Sequence, residues 1–180
     1  MPLPFLVPVA LFAEPTVSSL VAGAIIAVAG EGIRLWGVSI AGSETRTTGP
    51  VGGTQLVTTG PFAYVRNPLY LGNMIIYGGI GVMSMALFPW LTIAGVGFFA
   101  MQYALIVSLE EEHLKEKFGD EYRNYSGSVG RFLPRFVKYE GRKETQPPLE
   151  WKRGIVSEKS SLLAIVLVSA LLVFIRWYRG

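Results

Sequence analysis

The chain has 180 residues, of which 51% are hydrophobic and 16% charged, with a net charge of +3 and a mean hydropathy of +0.41. Up to Leu109 only Glu14, Glu31, Arg34, Glu44, Arg46 and Arg66 are charged, whereas both signs crowd together from Glu110 to Lys159. A soluble domain spreads charge over its surface, so this segregation points to an integral, multi-pass membrane protein with no feature suited to nucleic acid, and the lack of cysteine excludes a disulfide frame, a thiolate nucleophile and a cysteine metal site.

In chain order, Leu3 to Phe12 is apolar but too short to cross a bilayer upright, and it reads as a short or tilted span. The opening Met-Pro-Leu-Pro-Phe has no basic region, which speaks against a cleaved signal peptide. Glu14-Pro15-Thr16 breaks this segment, and a helix long enough to cross runs from Val17 to Ile40. Pro68 to Met85 and Pro89 to Leu109 are the next two spans; their connection, Ala86-Leu87-Phe88, is so short and apolar that it predicts a tight hairpin. Ser160 to Tyr178 is a final span, closed by Trp177 and Tyr178 as interfacial anchors. The expected fold is therefore an all-α membrane helical bundle with about five transmembrane helices. It divides into N-terminal membrane helices over residues 1–41, a core over 42–134, a charged linker over 135–159 and a C-terminal transmembrane helix over 160–180. Within the linker, Glu140 to Pro148 is rich in charge and proline and reads as disordered.

Lysine and arginine set the orientation. Residues 42–67 carry Arg46 and Arg66, residues 110–159 carry eleven basic side chains, and the hairpin puts both segments on one side, expected to be cytoplasmic. Arg176 and Arg179 fall opposite and weigh the other way.

The polar residues near the spans each have a structural and a functional reading. Gly60-Pro61 reads as a turn and Asn67-Pro68 as a helix start, with asparagine at the N-cap and proline at the first helical position. The same geometry aims free backbone N–H groups at the cytoplasmic surface, where an anionic group such as an amino-acid carboxylate can bind. Glu110-Glu111-Glu112 is either a solvated acidic face or a site. Glu110 follows a long uncharged stretch at the bilayer boundary, where a buried carboxylate needs a partner, so at least one of the three should face protein. Glu31 and Arg34 can pair at i, i+3 near the cytoplasmic end of their span, a structural arrangement. Glycines 72, 78, 79 and 81 suit close helix packing in lipid. The single histidine, His113, lies among charged residues and reads as a solvated surface group, so no metal site is expected.

Taken together, Leu56-Val57-x-x-Gly60-Pro61, Arg66-Asn67-Pro68-x-Tyr70-x-Gly72, Glu110-Glu111-x-x-Leu114-x-x-x-Phe118-Gly119-x-x-Tyr122-x-x-Tyr125 and Arg131-Phe132-Leu133-Pro134 resemble the isoprenylcysteine carboxyl methyltransferase family and the related phospholipid N-methyltransferases. The resemblance covers about Gly30 to Pro134. It implies a membrane methyltransferase that uses S-adenosylmethionine, with the cofactor entering from the cytosol and a lipophilic substrate from the bilayer. Carried over by position, the cofactor contacts fall on Thr54, Gln55, Leu56 and Val57, on Phe62, on Asn67, Pro68, Leu69 and Tyr70, and on Glu110. Asn67 stands where the family usually has histidine, and Phe62 where tyrosine is common. Ile106 occupies a position where the eukaryotic carboxyl methyltransferases use an arginine to hold their substrate. A carboxylate acceptor would lack its cation there, so an amine headgroup is slightly favoured over an isoprenoid carboxylate. No catalytic base is assigned. The alternatives are a sterol-reductase-like enzyme using NADPH, which the sparse cations around Arg66 disfavour, and a non-catalytic protein retaining the scaffold. The oligomeric state is left open.

Overall fold

The computed structural model describes residues 3–42, 55–141 and 146–179. It contains α1 (Leu3–Phe12), α2 (Val17–Ala41), a 3₁₀ turn over Gly60–Ala63, α3 (Pro68–Ser84), α4 (Trp90–Ser128) and α5 (Trp151–Arg179). No strand occurs among the described residues; the one bridge joins Val65 to Gly130. The all-helical architecture and the helix starts at Leu3, Val17 and Pro68 agree with the sequence pattern.

Three helices, α2, α4 and α5, are long and apolar enough to cross a membrane. The apolar part of α4 ends at Leu109, about 30 Å from its start at the usual helical rise, so Glu110 onward lies beyond the span. A break at Gly119, whose φ of 52° and ψ of −124° no helix accommodates, then redirects the chain. The helical continuation of α4 past Leu109 agrees with a carboxylate-rich helix following the hairpin, whereas α5 begins at Trp151, earlier than the expected start at Ser160, so the charged run over 151–159 is helical. Hydropathy hides that start because it scores Glu158 as exposed charge, whereas the side chain is wholly buried against Arg34 at 2.5 Å. Of the stretch expected to be disordered, residues 142–145 lie outside the described residues, and Gln146 is held by hydrogen bonds.

The chain forms two compact units, one of residues 1–32, 72–101 and 159–180, the other of residues 33–71 and 102–158. In the first, Ala13, Met83 and Leu172 form the buried centre with Val9, Leu20, Ala24, Val168 and Ile175 packed on it. Here α2 and α3 touch backbone to backbone. A Cβ at Gly79 would stand 2.7 Å from both the Gly23 carbonyl and the Ala27 nitrogen, and one at Gly30 would stand 2.7 Å from the Gly72 carbonyl. Polar ends within this unit are satisfied internally: Glu14 N–H donates to the Ser84 carbonyl (2.9 Å), Arg179 donates to the Ala13 carbonyl (2.7 Å), and Ser161 donates to buried Glu31 (3.1 Å).

The second unit centres on Leu56, Tyr122, Tyr125 and Val129, with Leu114, Phe118 and Tyr139 against them. Its connecting segments are fastened by main-chain bonds: Arg66 N–H to the Gly130 carbonyl (2.9 Å), Arg135 N–H to Tyr64 (2.9 Å), Tyr139 N–H to Ala63 (3.0 Å) and Glu150 N–H to Ser39 (2.8 Å).

Candidate functional site

The candidate site lies wholly in the second unit. Its floor is the turn before α3. Gly60 has φ +59°, a left-handed conformation that glycine adopts without strain, and it packs against Ile40. Pro61 follows within the 3₁₀ turn, and Pro68, fully buried, opens α3. The Asn67 side-chain amide donates to the Arg131 carbonyl at 3.1 Å, tying this helix start to the segment that follows α4.

Successive positions on an α-helix point about 100° apart, and this separates the three glutamates. Glu110, partly exposed, accepts a 2.8 Å hydrogen bond from the Tyr70 hydroxyl. The Tyr70 ring packs on that of Tyr103 with centroids 4.7 Å apart, and Tyr103, Ile106 and Glu110 share one face of α4 through i+3, i+4 and i+7 spacing. Glu111 turns inward instead. Its carboxylate lies 2.9 Å from Arg66 and 2.6 Å from Arg131, with 6% of the side chain exposed. Arg66 also donates to the Ser126 carbonyl (2.5 Å) and Arg131 to the Ser108 hydroxyl (3.2 Å). Glu112 is exposed. The expectation that at least one glutamate faces protein is met, and most fully by Glu111.

Beyond the span, Tyr122 and Tyr125 sit under this cluster. Burial, reinforced by the negative charge of Glu111 and opposed by Arg66 and Arg131, pushes the Tyr122 phenol up to about 12. Burial, then the neighbouring Tyr122, pushes Tyr125 well above its ordinary range. Both phenols are therefore neutral donors at physiological pH, and Tyr125 donates to the Phe62 carbonyl at 2.7 Å.

Of the residues carried over as cofactor contacts, Thr54 lies outside the described residues. Gln55 and Val57 are partly exposed, while the Leu56 side chain belongs to the buried core. Phe62 is partly exposed and offers its carbonyl to Tyr125; Leu69 lies beside Gly37 of α2. Tyr70 and Glu110, forty positions apart, are brought together. Ile106 is partly buried one turn before Glu110. Sequence reasoning missed Gln146. Its side-chain amide accepts from Thr58 N–H (2.8 Å) and donates to the Leu56 carbonyl (3.0 Å), pairing with the 56–58 backbone as a neighbouring strand would. A lone glutamine in a charged, proline-rich stretch gives no local signal of such a role. Beside this loop lies a polar recess of about 380 Å³ lined by Thr58, Glu121, Asn124, Tyr139, Glu140 and Gly141.

Helices of spanning length, with a carboxylate and paired tyrosines where the apolar stretches end, define a membrane protein with a polar site at the bilayer boundary. The family model described as phospholipid methyltransferase matches residues 18–121, more than half of the chain, and the chain belongs to that family. It is 32% identical over 111 residues to the cobalt-zinc-cadmium resistance protein CzcN of Cupriavidus metallidurans, covering 60% of this chain and 45% of that protein. It is 36% identical over 84 residues to the nickel-cobalt-cadmium resistance protein NccN of Alcaligenes xylosoxydans xylosoxydans, covering 46% and 37%. It is 31% identical over 114 residues to the methanethiol S-methyltransferase of Pseudomonas deceptionensis, covering 62% and 40%. The chain thus spans less than half the length of the curated relatives it matches. The family match includes Tyr70, Glu110 and Glu111 but stops before Tyr125, Arg131 and Gln146.

Proposed function

We propose that the chain is a membrane methyltransferase that takes its methyl group from S-adenosylmethionine at the cytoplasmic boundary and delivers it to a lipophilic acceptor. The observation that carries this reading is the Tyr70–Glu110 pair. A partly exposed carboxylate beside two tyrosine rings suits a cationic sulfonium and ammonium, through direct charge attraction and through the negative faces of the rings. The cofactor would be held by Glu110 and Tyr70, by residues 54–57 with Phe62, and by the helix start at Asn67, Pro68 and Leu69. Bound there, it supplies an activated methyl on sulfur, so the protein's part is alignment and exclusion of water. Tyr70 donates to the Glu110 carboxylate, and on this reading that carboxylate would take the proton that an amine acceptor sheds. Gln146 shapes the 56–58 loop and acts as a positioning residue.

An amine-headgroup lipid is the favoured acceptor, because Ile106 provides no cation for a carboxylate. A thiol is the second reading, supported by the name of the Pseudomonas deceptionensis relative. Within the fold we assign residues 42–134 as the catalytic core, 1–41 and 160–180 as membrane helices, and 135–159 as a charged connection whose final part, from Trp151, is already the first turns of α5. Binding of labelled S-adenosylmethionine, and not of NADPH, to the purified chain tests the proposal. Tight NADPH binding without S-adenosylmethionine binding would overturn it in favour of a reductase. Assay of lipids and small thiols for the mass gain of one methyl then identifies the acceptor.

A further inference from the structure

The segment that follows α4 carries a feature that the site does not use. Leu133, Phe136 and Val137 are 81%, 101% and 80% exposed, yet they belong to none of the spans. Three large apolar side chains within five residues, outside every apolar helix, need a cover. Their position is fixed within one compact unit by main-chain bonds from Arg66 N–H to Gly130, Arg135 N–H to Tyr64 and Tyr139 N–H to Ala63, and by the Asn67 side-chain amide donating to the Arg131 carbonyl. The segment thus runs alongside residues 63–67, immediately before Pro68. Tyr70, in the first turn of the helix that starts at Pro68, bonds Glu110 just past the apolar part of α4, so this segment lies by the edge of the hydrocarbon.

Charge selects the kind of surface. Arg135 is anchored by one nitrogen to the Ser128 carbonyl (2.5 Å), and Lys138 is exposed with no protein partner among the described residues. Apolar side chains alternating with cations on an irregular segment at the bilayer edge suit the glycerol level of a membrane whose headgroups are anionic.

We propose that residues 131–138 form an interfacial foot: Leu133, Phe136 and Val137 insert among the upper acyl chains, and Arg135 and Lys138 engage the phosphates of anionic phospholipid. The foot holds the Arg131 carbonyl, and with it Asn67 at the start of α3, in register with the membrane surface.

The chain has no cysteine, so Phe136→Cys gives a single labelling site, with Val137→Cys as a second and exposed Asp120→Cys as an aqueous control. The full-length protein, labelled with an environment-sensitive fluorophore, is reconstituted in vesicles of equal parts phosphatidylcholine and phosphatidylglycerol. The foot predicts blue-shifted emission at 136 and 137, quenched by nitroxides high on the acyl chain and independent of protein-to-lipid ratio, with water-like emission at 120. Replacing Arg135 and Lys138 by Gln should lower the ratio of quenching by spin-labelled phosphatidylglycerol to that by spin-labelled phosphatidylcholine, by about fivefold per cation. Water-like emission at both 136 and 137 would overturn the proposal. A blue shift that lipid nitroxides do not quench, or that grows with protein-to-lipid ratio, would overturn it in favour of a protein partner or a second copy. An unchanged lipid ratio in the double variant would equally overturn the assignment to anionic lipid.

Discussion

Glu111→Gln separates the two adjacent glutamates most sharply. The substitution keeps the shape of the side chain and removes one negative charge from between Arg66 and Arg131, whose nitrogens lie 2.9 and 2.6 Å away. Breaking a buried ion pair by deleting one partner typically costs about 3–5 kcal/mol, because the surviving charge is left desolvated. Side-chain exposure is 12% at Arg66 and 38% at Arg131, so water takes over much of the second pair. Discounting that pair leaves a loss near the lower end, about 3 kcal/mol. For a chain of this size such a loss lowers the melting temperature by roughly 6–12 °C. Thermal unfolding in detergent, followed by tryptophan fluorescence, measures it, with exposed Glu112→Gln as the control that stays at the parent value. Should Glu111→Gln melt with the parent while losing cofactor binding, the inward ion cluster is not structural and Glu111 belongs to the site.

The complementary change, Glu110→Ala, should leave the melt in place and weaken S-adenosylmethionine binding by about 1.5–3 kcal/mol, the range of a charge-assisted hydrogen bond, as read by calorimetry; Tyr70→Phe should weaken it less. Ile106→Arg should reduce turnover of the native acceptor, measured as methylated product by mass spectrometry, by adding a cation that repels an amine one turn before Glu110. Raising the pH above about 10 should destabilise the second unit. The unfolded state ionises its tyrosines there, whereas Tyr122 holds its proton up to about 12 and Tyr125 holds its own still more tightly, so stability falls with pH in that window. Tyr125→Phe should shrink this fall in alkaline melts. Cysteines introduced at Ser43 and Ser126 should react with an impermeant reagent from the same, cytoplasmic, face of sealed vesicles; reaction from opposite faces would part the two halves of the site.

The helices were legible where local chemistry decides them. Glu14-Pro15-Thr16 ends α1 and Pro68 opens α3 because proline restricts the backbone whatever surrounds it. The start of α5 was hidden, because Glu158 becomes acceptable in a helix next to apolar sequence only once Arg34, 124 positions earlier, neutralises it. Around the candidate site, the nearness of Tyr70 and Glu110 was legible in the motif, but the pairings of the adjacent glutamates were not. That one of Glu110 and Glu111 meets Tyr70 and the other two arginines depends on helix rotation, which adjacency in sequence does not fix. Spacing suggested that Glu31 and Arg34 pair with each other, and the structure shows Ser161 on Glu31 and Glu158 on Arg34, both from the far end of the chain.

The clamp formed by Gln146 sets an order on biosynthesis. The 56–58 loop leaves the ribosome about ninety residues before the side chain that braces it, and α3 and α4 are made in between. Helices α2 and α4, both long and apolar enough to cross a membrane, can therefore enter the bilayer while the loop still lacks its brace. Membrane integration and closure of this loop are thus separate events in the life of one chain. A nascent chain stopped short of Gln146 would carry its membrane helices with the 56–58 loop still unbraced.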